Sequence, residues 1–373
     1  MAMIKIWKLH LAVLTAAMLL LPSCREGFNG SVRFSASTDA SVRTRTAYSG
    51  VIDNGKERID WLIGDRIRIG CVYSGDSFAA ADYGVSRVSS SGVVSSAELA
   101  VAEGNGLYWG DESHDFIALS PSPSTPVPGA SDSKTLADSL GVAVAGPAVS
   151  AFIPSVQEMD WEGLTGSPRM EYALLVAATM GIGRSSSVRL VFRPAFNAVR
   201  LVFGYEKDSP LCIRSLSVSG RQTASAADGA VSGPYSVELH SSTVSTSELT
   251  ASATVTLPSS ADEPNRVVTV PMDGDGKTMH NGDFLTLTVF LLPADYSALS
   301  FVLDTDKGLK TLKMRSNDGG TLFPACGKTV VTGFVIPNDP YITFTSASGM
   351  LDGMLSPWSS DGDEFLLELD GVI

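Results

Sequence analysis

Residues able to do acid, base or nucleophilic work are few and scattered. The 373-residue chain has four histidines, at 10, 114, 240 and 280. No H-E-x-x-H or G-x-S-x-G occurs, and "GDGKT" and "CGKT" lack the first glycine of a phosphate-cradling loop. His114 lies in the acidic turn "DESHD" with no nucleophile nearby in sequence, which predicts a solvated turn residue and not a base. "MDGDGKTMHNGD" sets Asp273 and Asp275 at calcium-loop spacing. Lys277, however, stands at a ligand position and Phe284 where a bidentate glutamate belongs. "SSDGDEF" offers Asp361, Asp363 and Glu364 with no evident scaffold. Both stretches read as hairpin turns, since Asp-Gly is a preferred hairpin pair. The sequence therefore predicts no metal, no cofactor and no catalysis.

More telling are residues on which other molecules would act. The chain opens "MAMIKIWKLHLAVLTAAMLLLPSC": Lys5 and Lys8, then an apolar run from Leu11 to Leu21, then Cys24. A basic start and a short apolar stretch make an export signal, too short for a retained membrane span. The ending Leu21-Pro22-Ser23-Cys24 resembles a bacterial lipobox, in which the cysteine becomes the acylated first residue. Each buried CH₂ of an acyl chain such as palmitate contributes about 0.8 kcal/mol, so several chains make a stable membrane anchor. A second such place is "ASVRTRTAYSG", residues 40–50, where Arg43 and Arg45 sit among small residues. It is either an ordinary turn or a loop open to proteolytic cutting.

Composition decides the elements that carry these residues. Hydrophobic residues make up 44% and charged residues 18%, a globular mixture, and frequent Ser, Thr, Gly and Val favour short strands over helices. A net charge of −13 argues against a nucleic-acid partner, which would need a basic face to release counterions. "RIRIGCVY" alternates Ile67, Ile69, Cys71 and Tyr73 against Arg66, Arg68, Gly70 and Val72, with Gly64-Asp65 turning into the strand. Cys71 is then a buried, inert thiol, while Cys212 and Cys326 form a pair that an oxidising compartment could join. "SVRFSAS" at 31–37 is the first strand, and a short helix fits within "SKTLADSLGVAVAG". "VRLVF" at 188–192 and "VRLVF" at 199–203 are strands separated by Pro194.

The expected organisation is a signal at 1–23, an N-terminal β-domain at 24–195 and a C-terminal β-domain at 196–373. Near the end, "YITFTSAS" alternates Ile342 and Phe344 with threonines, and "FLLELDGVI" sets Phe365, Leu367 and Leu369 on one face. Strands this apolar at a chain end need something to pair with.

Several of these stretches together resemble the fimbrillin family, the type V pilus subunits and related surface lipoproteins. They are the lipobox at Cys24, "VRFSAS", "TRTAY" before "IDWLIGDRIRI", "YWGDESHDFIALSP", "IPSVQEMD", "VRLVFRPAFNAVRLVF", "VFLLPADYSALSFVLDTDKG" and "LFPACGKTVVTGFVI". Pro194-Ala195 departs from the histidine and small or apolar residue frequent there. The resemblance implies two tandem β-sandwiches of transthyretin-like topology and passage to the outer membrane as a lipoprotein. It further implies removal of the first strand by an arginine-specific protease, after Arg43 or Arg45 here. The vacated groove takes a strand from another fimbrial subunit, donated by the tail at Ile342 and Phe344 or at Phe365, Leu367 and Leu369. A tail folded back on its own domain would instead indicate a tip or monomeric surface protein, an adhesin or glycan binder. Trp109, Trp161 and Trp358 would be its stacking surfaces.

Overall fold

The computed structural model describes residues 31–38, 47–53, 56–73, 77–91, 94–110, 112–127, 134–184, 187–223, 229–245, 248–257, 263–316, 320–326, 328–336, 343–344 and 365–368. The fold is all-β, as the composition predicts, with several sheets. Its single described α-helix is one short turn, Leu136–Leu140, closed by a capping box between Thr135 and Asp138 and ended by Gly141. Among the described residues no helix is long and apolar enough to cross a membrane.

The first sheet closes on itself. Its strands run in the order Phe34–Thr38, Val188–Pro194, Leu175–Ile182, His114–Ser120, Arg66–Val72, Phe78–Ser91 and Val94–Val101, and the last pairs with the first. The period-two reading of 66–72 holds: Ile67, Ile69 and Cys71 are fully buried. Gly64 adopts φ 94°, a left-handed turn that an L side chain resists, and the Asp65 carboxylate accepts the Leu62 N–H at 2.8 Å. A register shift at Val85/Arg87 bends the long Phe78–Ser91 strand, which lets the sheet curl round.

Two further sheets face each other across a second core. One runs Met159–Glu162, Thr165–Pro168, Phe284–Leu291, Asn197–Tyr205, Lys328–Ile336 and Thr343–Phe344. The other runs Val267–Pro271, Leu211–Gln222, Tyr296–Thr305, Gly308–Ser316 and Phe365–Glu368. Leu201 and Phe203 from the first meet Leu216, Val218, Phe301 and Leu312 from the second, all of them buried. A smaller sheet, Ala253–Thr256, Gly233–Leu239, Ala148–Ile153 and Ala143–Ala145, packs on the core of the ring.

Val188–Pro194 and Asn197–Tyr205, adjacent in sequence, thus belong to different sheets. Two segments also cross between the bodies. The hairpin Met159–Pro168 leaves the first half to pair with Phe284–Leu291, at Thr165↔Thr286 and Gly166↔Leu287. In return Gly233–Leu239 pairs with Ala148–Ile153. Buried side chains fix the exchange by imitating ladder bonds. The Gln157 amide donates to the Phe290 carbonyl at 2.6 Å and accepts the Phe290 N–H at 2.9 Å. The Tyr235 hydroxyl donates to the Ala195 carbonyl at 2.6 Å.

Candidate functional site

The Phe34–Thr38 strand is the element that closes the ring. It runs antiparallel to Val94–Val101, from Phe34↔Leu99 to Thr38↔Ser95. On its other side it runs parallel to Val188–Pro194, from Phe34↔Val188 to Thr38↔Phe192. Just upstream, Ser31 bridges to Tyr108, the Val32 N–H donates to the Leu107 carbonyl at 2.9 Å, and the Val188 N–H donates to the Arg33 carbonyl at 2.8 Å.

Alternation places its side chains. Val32, Phe34 and Ala36 face inward and are at most 4% exposed, while Arg33 is outside. Ser37 and Thr38 are buried too. The Phe34 ring meets Tyr83 and Phe116 edge-on, at centroid distances of 5.0 and 5.3 Å. Burying such a ring contributes about 1.5–3 kcal/mol, and aromatic pairs of this geometry about 0.5–1.5 kcal/mol more. The Tyr83 hydroxyl, its pKa raised by burial, accepts the Leu107 N–H at 2.8 Å, so the loop above the strand is tied to the same cluster. A slot lined on both sides by ladder groups and floored by aromatic rings is thus filled by the first described segment of the chain.

His114 is part of this cluster, not a solvated turn residue. It is 2% exposed, stacked on Trp109 and edge-on to Tyr73, and its Nε2 accepts the Gly110 N–H at 2.8 Å. The correction has a simple cause: His114, Phe116 and Ala118 occupy one inward-facing parity of a strand that starts earlier than the acidic turn suggests. Trp109 and Trp161, the described members of the stacking set, are engaged by their own chain. Trp109 is buried beside His114. One face of the Trp161 ring covers Gly166, where any Cβ would fall 2.8 Å from it, and the Lys277 Nζ lies 5.0 Å from the ring centre. Trp358 lies outside the described residues.

The thiols are inert or unpaired. Burial pushes the Cys71 pKa up to about 11 and that of Cys326 up to about 12, and Cys71, Cys212 and Cys326 are all free. The turn at 273–277 is held by Asp273 facing Lys277 at 3.7 Å, so the cation stands where a calcium ligand would. Asp82 is a clamp. Burial alone would raise its pKa, but hydrogen bonds from Arg68, Ser122 and Ser124 and the Arg68 charge hold it below the ordinary range. A carboxylate with its lone pairs so occupied joins two strands to the Ser120–Ser124 turn and has no free face for acid–base chemistry.

Cys24, Arg43, Arg45, Ile342 and Leu369 lie outside the described residues. The described strand that ends at Thr38 and the next, Ala47–Asp53, bracket the two arginines. Phe344 is in the two-residue strand Thr343–Phe344, opposite Phe334. Phe365 and Leu367 stand opposite Ser316 and Met314, in a strand paired to this chain's own Gly308–Ser316.

Solved structures similar to this chain come from species of Bacteroides and Parabacteroides. A candidate cell adhesion protein of Bacteroides uniformis is 15% identical, with a TM-score of 0.44 and 91% of this chain and 97% of that one covered. Another, from Bacteroides ovatus, is 13% identical, with a TM-score of 0.47 and coverages of 89% and 99%. A fimbrial assembly protein of Parabacteroides distasonis is 10% identical, with a TM-score of 0.34 and coverages of 91% and 96%. No protein-family model and no curated protein sequence matches this chain. All three TM-scores are below 0.5.

Proposed function

We propose that this chain is a structural subunit of a surface fimbria, exported as a lipoprotein and anchored to the outer membrane through acylated Cys24. An arginine-specific protease cuts after Arg43 or Arg45, the first strand leaves with its lipid, and the open slot takes a strand from a neighbouring subunit. The observation that carries this reading is the seat of Phe34–Thr38. It is the segment that precedes Arg43 and Arg45 in the chain, and it joins the two strands that would otherwise be edges. Removing it exposes unpaired ladder groups and an apolar floor together, and an extended strand from another subunit satisfies both. Because one subunit's strand always fills the next one's slot, the contact is heterologous and propagates into a filament.

The second reading is a stand-alone or tip surface lipoprotein acting as an adhesin. Its supporting observation is the pairing of Phe365–Glu368 with its own Gly308–Ser316 edge. The mature N-terminus and intact mass of protein taken from the cell surface separate the two. A start at Thr44 or Thr46 is expected for the fimbrial subunit. A start at lipidated Cys24 removes that reading and leaves the stand-alone one.

A further inference from the structure

The slot of the first strand has two walls, and they are held very differently. Val94–Val101 is paired on its far side to Phe78–Ser91 along its whole length, from Tyr83↔Val101 to Ser91↔Val94. Val188–Pro194, the parallel wall, is paired on its far side to Leu175–Ile182 at Leu175↔Pro194 and Val176↔Arg193, and there the ladder stops. Carried on in the same register, Ala178 would stand opposite Val191. Thr243, 0% exposed, comes between them instead. Its N–H donates to the Ala178 carbonyl at 3.0 Å. Its hydroxyl accepts the Ala178 N–H at 3.1 Å and donates to the Val191 carbonyl at 2.6 Å. Beside it, Ser242 Oγ accepts the Met180 N–H at 2.7 Å, and Thr179 Oγ1 donates to the Arg189 carbonyl at 2.7 Å. Thr243 thus supplies the missing rung and satisfies backbone groups that would be costly to leave open at this depth. It follows Gly233–Leu239, the strand that crosses to pair with Ala148–Ile153. The ring is therefore completed by a residue from the second half of the chain.

We infer that Thr243 is a positioning residue, which holds Val188–Pro194 in place as a wall of the slot when the first strand is out. The inference rests on the proposed removal of that strand and adds what keeps the vacated slot in shape. With the first strand seated, Val188–Pro194 is paired to it from Phe34↔Val188 to Thr38↔Phe192. Once it leaves, the remaining ladder pairs, Leu175↔Pro194 and Val176↔Arg193, both lie at one end of the wall. The rest depends on the bonds from Thr243 and Thr179. Val188, Leu190 and Phe192 are at most 2% exposed, so a wall that swings away takes one side of the apolar floor with it. A strand entering a slot whose wall is in place in only a fraction of molecules binds more weakly by that fraction. Threonine suits the position because its hydroxyl donates and accepts at once. Serine keeps both bonds, and valine keeps the shape without either.

The test uses the full exported chain, cut after Arg45 and stripped of the freed segment, with a labelled peptide of residues 31–38 as the probe. The parent is expected to bind the peptide. Thr243→Val is expected to weaken binding by about tenfold or more, and Thr243→Ser by about threefold or less. Val218 is buried in the second core, away from this seam, so Val218→Ala is expected to lower the Tm of the uncut chain and leave the affinity unchanged. Parent-like affinity in Thr243→Val overturns the inference, and so does an equal loss in Val218→Ala. Both outcomes leave removal of the first strand standing. A parent that does not take up the peptide overturns that removal itself. A further measurement needs no variant. Hydrogen exchange of the Ala178 amide is followed in the parent before and after stripping, and its protection is expected to stay within about tenfold. Loss of that protection means that the rung opens with the strand, and overturns the inference.

Discussion

The first and last described strands are both short, and they are attached in different ways. Phe34–Thr38 is paired along both sides and, with Val32 just before it, buries Phe34 and Ala36 in the ring core. Phe365–Glu368 is the outermost strand of its sheet, paired to Gly308–Ser316. Withdrawal of the first opens a closed sheet, while withdrawal of the second moves an edge by one strand. The same backbone geometry thus serves as a plug at one end and as a margin at the other.

The contrast can be broken most directly at Phe34. Phe34→Ala is expected to lower stability by about 3–5 kcal/mol, measured by urea denaturation of the uncut chain, because the slot floor cannot collapse around the missing ring. A loss below 1 kcal/mol would show that the strand does not plug the ring. A smaller effect belongs to the Arg68–Asp82 clamp within the same ring. Asp82→Asn is expected to cost about 2 kcal/mol near neutral pH, since charged hydrogen bonds are lost. Asp82 has a depressed folded-state pKa, so its contribution is complete above the ordinary carboxylate range and is lost as pH falls through that lowered value. The gap between parent and Asp82→Asn should therefore be constant from pH 7 to 5 and narrow below about pH 4. A gap that widens on acidification would contradict the clamp. The smallest change is expected from ending the chain at Ser360, which removes the edge strand. About 1 kcal/mol or less should be lost, with the ring's near-ultraviolet aromatic signal intact.

Much of this was legible in local pattern. Ile67, Ile69 and Cys71 alternate in the sequence and are buried in the fold, and the first strand and the short helix lie where periodicity and turn residues put them, whereas Pro194 ends the strand Val188–Pro194 opposite Leu175 and does not interrupt it. Period-two patterning reports which face is buried and is silent about which strand lies alongside. For that reason the crossing of Met159–Pro168 and Gly233–Leu239 was hidden, since their partners are remote in sequence. His114 was misread because the polar residues of "DESHD" masked the strand beginning there, although the spacing His114, Phe116, Ala118 carried the information.

The exchanged segments have a mechanical consequence. Tension applied between the slot of the first strand and the tail passes through both bodies. Neither can unravel alone, because Met159–Pro168 is clipped beside Phe284–Leu291 and Gly233–Leu239 beside Ala148–Ile153. The Gln157 amide adds a doubly bonded rivet between the Pro154–Gln157 turn and Phe290 at the crossing. A pulled chain must break these bonds together, as a lap joint fails in shear, and is expected to yield at a higher force than two domains strung on a linker.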